Sequence, residues 1–183
     1  CKKLAEKLDA PVCSGYQHHD SFPGNHALAV GPLGYNGSKA AMQLISKADV
    51  VLALGTRLNP FSTLPGYGID YWPKNAKIIQ VDMNPDRIGL TKKVTVGIAG
   101  DAKLVSQQIL AKLSSTAGNN GRDERKNFIH QTKSAWLQTL SGLDHEDDDP
   151  GTVWNKEARE RDKDRMSPRQ AWRAIQVAMP DDA

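Results

Sequence analysis

The feature that most constrains the fold is the alternation of short aliphatic runs with helical patterns over the first 113 residues. Strands, each bounded by Gly, Pro or Asn, are predicted at residues 11–14, 50–54, 77–82 and 94–98. Continuous aliphatic strands are typical of a sheet that is buried on both faces, and their alternation with helices indicates parallel strand–helix–strand units. The sequence therefore predicts an α/β domain with a doubly wound, mostly parallel sheet and flanking helices.

Helices are predicted at residues 2–8, 38–48 and 101–113, where apolar side chains recur at helical spacing. Asp101 is expected to accept hydrogen bonds from the first free amides of the third helix. Ligands of doubly wound sheets usually bind beyond the carboxyl ends of the strands. The expected ligand-binding loops are residues 15–37, 55–75 and 82–93.

The character of the sequence changes after Leu113. A small, polar linker at residues 114–121 is followed by a predicted amphipathic helix at residues 124–140. Residues 141–165 have few apolar side chains, so a solvated connector is expected there. Ser167 and Pro168 then suit the cap and first position of another helix. Three segments are expected: a central α/β domain at 1–113, a linker, helix and connector at 114–166, and the first helix of a truncated further domain at 167–183.

Composition and charge narrow the class of protein. The net charge is only +3, and the basic residues are scattered, so binding to nucleic acid is not expected. The longest aliphatic run, Val50–Leu54, is far shorter than the roughly 20 residues that cross a bilayer, and no secretory signal pattern follows Cys1. Two cysteines without a CxxC pair favour a reducing compartment. We expect a cytoplasmic protein with no membrane partner.

A glycine-rich segment, GPLGYNGS at residues 31–38, leads directly into a predicted helix. Glycines allow a backbone to approach a ligand closely, and free amides at a helix start attract phosphate. The spacing differs from GxGxxG and from the Walker pattern, so a plain strand-to-helix turn fits these residues as well.

Two further positions suit a nucleotide but allow other interpretations. Arg57 follows a buried strand, where its planar fork is able to pair with a phosphate or with a carboxylate of the same surface. Asp82 ends another strand, a place from which an acidic residue can reach ribose hydroxyls. Neither position decides between a ligand-binding role and a structural one.

Three histidines lie close together in the sequence, at His18, His19 and His26. Adjacent histidines on an extended segment point to opposite sides, and no cysteine or carboxylate completes a metal-ligand spacing. No metal site is therefore expected, and the sequence has no GxSxG or HExxH motif for a self-contained hydrolase.

Four segments in order resemble the central domain of the acetohydroxyacid synthase and pyruvate decarboxylase superfamily of thiamine-diphosphate-dependent enzymes. They are GPLGYNGS at 31–38, SKADVVLALGTR at 46–57, IIQVDMNP at 78–85 and GDA at 100–102. The resemblance covers about residues 1–113. It implies a domain that lies between a pyrimidine-binding and a diphosphate-binding domain, in which residues 167–183 begin the latter.

Three finer segments resemble one acyltransferase branch of that superfamily: GYQHHDSFPG at 15–24, LNPFSTLPGYGIDYWP at 58–73 and MSPRQAW at 166–172. The resemblance implies conversion of sulfoacetaldehyde and phosphate into acetyl phosphate and sulfite during sulfonate breakdown, such as that of taurine. It also implies thiamine diphosphate and Mg²⁺ as cofactors and a homo-oligomer. The catalytic residues and cofactor ligands would lie outside this chain, which alone is expected to be inactive.

Relatives within the superfamily bind FAD or ADP in this domain, and nine residues fall where such contacts are made. They are Gly34, Asn36, Gly37, Ser38, Gly55, Thr56, Arg57, Asp82 and Asp101. The aspartate pair and arginine that follow the Gly-x-Arg motif in acetohydroxyacid synthases are replaced here by Asn59, Pro60 and Phe61, so a flavin is not expected. A vestigial pocket that no longer binds a nucleotide is the alternative for these nine residues.

Two hypotheses remain for the chain. The first is the acyltransferase fragment, in which His18 or His19 helps to recognise the sulfonate, because imidazoles donate hydrogen bonds in either protonation state; a solvent-exposed pair without a role is the alternative for these residues. The second is a stand-alone nucleotide-binding or regulatory module that holds ADP, FAD or NAD.

Overall fold

The computed structural model describes residues 1–113, 121–142 and 168–179. Two compact units are distinguished, Cys1–Trp136 and Leu137–Ala183. The first contains the α/β part. The predicted linker at residues 114–121 lies almost wholly outside the described residues, and the connector at residues 141–165 does so beyond residue 142.

The α/β part confirms the predicted class, since every pair of strands is parallel and helices flank the sheets. Its elements are α1 (Lys2–Leu8), β1 (Val12–Ser14), β2 (Ala29–Pro32), α2 (Lys39–Ile45), β3 (Val50–Leu54), β4 (Lys77–Asp82), β5 (Val96–Ala99) and α3 (Ala102–Lys112). Strands β1 and β2 form one parallel pair, and β3, β4 and β5 form a three-stranded sheet in that order. Short 3₁₀ turns follow β1, β3 and β4, at His19–Ser21, Phe61–Thr63 and Pro85–Arg87.

Strands β3 and β4 begin and end where the sequence predicted. The residues of β3 are all aliphatic, and β4 contains Ile78, Ile79 and Val81. The prediction missed β2, which lies inside the segment that was assigned to a loop. Gly31 and Pro32 end this strand, and both residue types are depleted in strands. The parallel pairing of Gly31 with Cys13 and of Pro32 with Ser14 nevertheless continues the ladder of β1.

The main core lies between α1, β2 and α2, with one contribution from a later helix. Val30 of β2 and Ala41, Met42 and Leu44 of α2 are buried in it. Ile129 joins the same cluster and is only 3% exposed. It belongs to α4 (Arg122–Gly142), the helix that the sequence predicted at residues 124–140.

Helix α4 is fixed to the end of α1 by charge. Asp9 ends α1 in the left-handed conformation with φ of 46° and is buried. Its carboxylate accepts a hydrogen bond from Arg122 Nε and lies 3.6 Å from Lys126 Nζ. Arg122 also donates to the carbonyl oxygen of Lys7 at 3.3 Å, which satisfies a free acceptor at the end of α1.

The last described element is α5 (Pro168–Ala178). It begins at the proline that was expected at the first helical position. Its predicted apolar stripe is exposed at Trp172, Ile175 and Met179. Ser167, the expected cap, lies outside the described residues.

Candidate functional site

The carboxyl ends of three neighbouring strands bring predicted site residues from distant parts of the sequence to one edge of the sheet. Gly55, Thr56 and Arg57 follow β3, Asp82 ends β4, and Asp101 follows β5. Because β3, β4 and β5 are parallel and adjacent, these three chain reversals lie side by side. This is the edge at which ligands of doubly wound sheets bind.

Both acidic residues at this edge are engaged in local structure. Asp82 is buried, and its carboxylate accepts a hydrogen bond from the amide of Asn84 at 2.9 Å. Asp101 caps α3 by accepting from the amide of Leu104 at 2.9 Å, as the sequence predicted. Each carboxylate has further lone pairs, so these bonds leave acceptor capacity for a ligand.

Gly55 has the backbone conformation that its turn requires. Its φ is 62°, and its amide donates to the carbonyl oxygen of Val81 at 2.8 Å. A side chain here would be strained by that φ, while the nearest side-chain atom, the Cβ of Ala102, would lie 3.5 Å away. The turn after β3 is therefore built from glycine for a conformational reason.

Gln80 is a component of this site that the sequence did not reveal. Its amide is only 1% exposed, and its Nε2 donates to the carbonyl oxygens of Thr56 at 3.0 Å and Arg87 at 3.1 Å. Its Oε1 accepts from the amide of Gly89 at 2.8 Å. One side chain thus joins the loop after β3 to the loop after β4.

A second bridge between the same loops comes from Thr91. Its hydroxyl lies 2.9 Å from the carbonyl oxygen of Arg57 and 2.7 Å from that of Leu58. Leu58 has a φ of 51°, an unfavourable conformation for a branched side chain, and its amide also donates to Thr56 Oγ1. The main chain on either side of the Arg57 side chain is therefore held at several points.

The Arg57 side chain itself is exposed, and no carboxylate among the described residues pairs with it. The interpretation that Arg57 is tied to a carboxylate of its own surface therefore finds no support in the described part of the chain. Its guanidinium has five donors for a planar anion.

The glycine-rich turn after β2 packs against the loop that follows β3. The amide of Gly34 donates to the hydroxyl oxygen of Tyr71 at 3.3 Å, and the hydroxyl of Tyr67 donates to the carbonyl oxygen of Gly37 at 3.0 Å. Burial raises the pKa of the Tyr71 hydroxyl, and the hydrogen bond from Gly34 opposes that rise. The turn and the loop thus form one packed unit.

Close approach of main chains accounts for the glycines of this turn. A Cβ on Gly37 would lie 2.4 Å from the carbonyl oxygen of Pro32, and one on Gly34, whose φ is 104°, would lie 3.0 Å from that of Phe61. Ser38 caps α2 by accepting from the amide of Ala41, whereas Asn36 is exposed. Of the four predicted residues in this turn, Asn36 alone presents an exposed side chain.

His18 and His19 lie on an exposed turn whose main chain is ordered by local hydrogen bonds. The hydroxyl of Ser21 donates to the carbonyl oxygen of His18 at 2.8 Å, and the amide of His18 donates to Gly15 at 3.2 Å. Neither imidazole has a hydrogen-bond partner among the described residues.

His26 differs from the other two histidines. Its Nε2 lies 3.1 Å from Glu6 Oε1, and its Nδ1 accepts from the amide of Leu28 at 3.1 Å. The ring of His26 contacts Phe22 edge to face, and its carbonyl oxygen accepts from Lys133 of α4. It therefore fixes its loop to α1 and α4.

No group of three or more His, Cys, Asp or Glu side chains in the described ranges is arranged to hold a metal ion. The described part of the chain therefore contains no Mg²⁺ site built from such side chains. Within the same ranges, no helix is long and apolar enough to span a bilayer.

Residues 1–109 match the family described as thiamine pyrophosphate enzyme, central domain. The chain therefore belongs to this family of thiamine-diphosphate-dependent enzymes, in agreement with its parallel α/β fold.

Within that class, the chain is similar to sulfoacetaldehyde acetyltransferases. It is 77% identical over 180 residues, 98% of the chain, to a protein named probable sulfoacetaldehyde acetyltransferase from Rhizobium meliloti (strain 1021). It is 73% identical over 99% of its length to the sulfoacetaldehyde acetyltransferase of Roseovarius nubinhibens and 67% identical over 98% to that of Rhodobacter capsulatus. The chain spans 30% of the length of each of these relatives.

Proposed function

We propose that the protein carrying this chain is a thiamine-diphosphate-dependent acetyltransferase that converts sulfoacetaldehyde and phosphate into acetyl phosphate and sulfite. The observation that carries the proposal is the 67% to 77% identity to three proteins named for this activity, over nearly the whole chain. That span includes the loops at residues 15–24 and 58–73, and loops are the segments that most often carry the binding residues of a domain.

Thiamine diphosphate, with Mg²⁺, carries the bond-breaking chemistry in this proposal. Their ligands lie in other parts of the full-length enzyme. The role of this chain is structural, and it lines the entrance to the active site. Two features support that role: the packed unit of the glycine-rich turn with the loop after β3, and the bridges from Gln80 and Thr91. They hold the exposed loops in fixed positions.

The proposal is tested by supplying the full-length protein with sulfoacetaldehyde, phosphate, thiamine diphosphate and Mg²⁺ and measuring sulfite. The full-length protein is expected to release sulfite and form acetyl phosphate. The present chain, assayed in parallel, is expected to release none. Absence of turnover by a folded, cofactor-loaded full-length protein would refute the activity. Turnover by this chain alone would refute the expectation that the cofactor ligands lie in other parts of the full-length enzyme.

The edge formed by β3, β4 and β5 supports a second proposal, that this domain has a nucleotide-like pocket lined by the nine residues named above. The supporting observation is the convergence of Gly55, Arg57, Asp82 and Asp101 at adjacent strand ends. ADP is the expected ligand, and FAD is not, because Asn59, Pro60 and Phe61 replace the acidic and basic residues of flavin-binding relatives. Titration calorimetry of the chain with ADP, FAD and NAD distinguishes these ligands and tests the alternative of a nucleotide-binding module.

We also propose that His18 or His19 helps to bind the sulfonate group. The supporting observation is an ordered main chain that presents two imidazoles without described partners. Replacing either residue with alanine in the full-length enzyme should lower kcat/KM for sulfoacetaldehyde about tenfold or more, the effect of losing a hydrogen bond to a charged group. His130→Ala, at an exposed histidine of α4, is the control. Unchanged kcat/KM in both variants would refute this role.

The acetyltransferase proposal includes the cellular location, the oligomeric state and the partners of the full-length enzyme. We expect a cytoplasmic homo-oligomer, a dimer or tetramer, that binds small-molecule substrates and neither nucleic acid nor membrane. Sedimentation of the full-length protein measures the oligomeric state directly.

A further inference from the structure

Two loops that leave different strands meet at one pair of aromatic rings. Tyr16 follows β1, and Phe61 lies in the loop after β3. Their ring centres are 5.0 Å apart and the ring planes are inclined at 81°, which is the edge-to-face geometry that aromatic pairs favour. The contact joins the loop that carries His18 and His19 to a loop that is distant in the sequence.

The main chain of Phe61 is fixed by its own loop and by the glycine-rich turn. A 3₁₀ turn begins at Phe61, and the amide of Ser62 donates to Asn59 Oδ1 at 2.7 Å. The hydroxyl of Thr63 donates to the carbonyl oxygen of Asn59 at 3.2 Å. On the other side, a Cβ on Gly34 would lie 3.0 Å from the carbonyl oxygen of Phe61, so the two main chains are in close contact. Phe61 is therefore able to serve as a fixed support.

The turn that carries the two histidines has few other supports among the described residues. Residues 17–21 are all exposed, and their hydrogen bonds stay within the turn, as in the bond from the amide of His18 to the carbonyl oxygen of Gly15 at 3.2 Å. Phe22, at the far end, is buried in the main core. The rings of Tyr16 and Phe22 therefore hold the two ends of this exposed stretch.

We propose that Phe61 is a positioning residue for the histidine turn, residues 17–21, and that it acts through the ring of Tyr16. The inference rests on the proposed binding of the sulfonate by His18 or His19. A mobile side chain has to be ordered when a ligand binds, and this ordering lowers the affinity. A turn that is already held in place loses less freedom on binding, so the aromatic contact should act on substrate binding and not on the chemical step.

The contact is tested by amide hydrogen exchange of the full-length protein. The variants are Tyr16→Leu and Phe61→Leu, each of which removes one ring and keeps an apolar side chain. Either variant should accelerate exchange at the amide of His18 about two- to tenfold, the effect of losing one aromatic pair. Tyr16→Phe keeps the ring and should retain the unaltered rate.

Phe128→Leu is the matched control for Phe61→Leu. Phe128 is an exposed phenylalanine of α4, and it forms no aromatic pair in the part of the chain that the structure describes. It should leave exchange at His18 unchanged. The two leucine variants test the contact independently, so one suffices if the other does not fold. Unchanged exchange in a folded leucine variant would overturn the proposal.

The consequence for the substrate is tested by kinetics of the full-length enzyme on sulfoacetaldehyde. Phe61→Leu should raise KM about two- to tenfold and leave kcat unchanged. In a His18→Ala/His19→Ala background, the same substitution should have no further effect, because Phe61 acts through these histidines. A substitution that merely weakened the fold would lower activity by the same factor in both backgrounds.

The outcomes separate this inference from the proposals on which it rests. Equal losses from Phe61→Leu in the two backgrounds would overturn the positioning role. Unchanged kinetics after replacement of both histidines would refute sulfonate binding by them, and this inference with it. Absence of sulfite release by the unaltered full-length protein would refute the proposed activity; accelerated exchange in the leucine variants would then still support Phe61 as the residue that positions the turn.

Discussion

Single residues shape the turn between β2 and α2 by leaving room for other main-chain atoms. Gly37 illustrates this, because the position that a Cβ would occupy lies within 3 Å of three main-chain atoms, of Pro32, Leu33 and Gly34. Main-chain atoms are unable to move aside as a flexible side chain does. Steric exclusion, and not only access for a ligand, therefore determines the glycine at this position.

Replacement of Gly37 with alanine should lower the free energy of unfolding by about 1–3 kcal/mol, the usual cost of overpacking. Denaturant unfolding of the chain measures this change. Gly24→Ala is a matched control, because a Cβ on Gly24 would meet no atom within 4 Å. Equal stability of the two variants would show that the turn relaxes and that its packing is not the reason for the glycine.

The two cysteines should differ strongly in reactivity. Burial raises the pKa of the Cys13 thiol to about 12, whereas Cys1 is exposed. The thiolate is the reactive form, so alkylation at pH 8 should modify Cys1 rapidly and Cys13 only after unfolding. The raised pKa of Cys13 also makes stability depend on pH. The unfolded chain loses the thiol proton at a lower pH than the folded chain does, so the free energy of unfolding should fall as the pH rises from about 9 to about 12. Mass spectrometry of the alkylated protein measures the reactivity; rapid modification of Cys13 in the folded chain would contradict the expectation.

Gln80 shows why some site residues were beyond sequence analysis. A glutamine in a buried strand requires hydrogen-bond partners, yet its partners lie on Thr56, Arg87 and Gly89, in loops whose course the sequence does not specify. By contrast, the cap formed by Asp101 was predictable, because a cap and its amide are separated by only three residues.

Among the helices and strands, the sequence predicts best those whose own residues favour the structure that they adopt. Strands β3 and β4 were predicted to the residue, since all five residues of β3 are aliphatic and β4 contains the β-branched residues Ile78, Ile79 and Val81. The four residues of β2 include Gly31 and Pro32, so its local signal points to a turn. Its strand conformation is stabilised by pairing with β1, a contact that lies outside any short window of sequence.

The junction of α1 and α4 supplies an element-scale prediction. Asp9 is buried and contacts both Arg122 and Lys126, so Asp9→Asn should cost about 1–3 kcal/mol, the penalty for leaving partly buried charges without their partner. Asparagine also tolerates the left-handed conformation of this position, and the backbone should not change.

Asp70→Asn is the control for Asp9→Asn, because Asp70 forms an exposed pair with Lys74 at 3.3 Å. Pairs of that kind contribute only about 0–1 kcal/mol. Denaturant unfolding measures the stability of both variants. A double-mutant cycle of Asp9→Asn with Arg122→Gln then separates the energy of the Asp9–Arg122 pair from the other effects of each substitution. A cost for Asp9→Asn no larger than that for Asp70→Asn would show that the junction is not held by this contact.

For the whole molecule, the boundary of the family match differs from the boundary of the compact unit. The match ends at residue 109, whereas the first compact unit extends to Trp136. Helix α4 accounts for the difference. It contributes Ile129 to the core, Lys133 to the carbonyl oxygen of His26, and Trp136 to an edge-to-face contact with Tyr67.

A chain ending at residue 113 should therefore be less stable than one ending at residue 136, although it contains all the strands of the described residues. Loss of the Ile129 side chain alone should cost about 2–5 kcal/mol, so Ile129→Ala in the full chain should reproduce part of the effect. Leu104→Ala, at an exposed leucine of α3, is the control and should cost little. Denaturant unfolding followed by far-UV and near-UV circular dichroism compares the two truncated chains and the two variants with the unaltered full chain. Equal midpoints for the two truncated chains would show that α4 is an accessory to the domain; a lower midpoint or lost near-UV signal for the shorter chain would make α4 part of it.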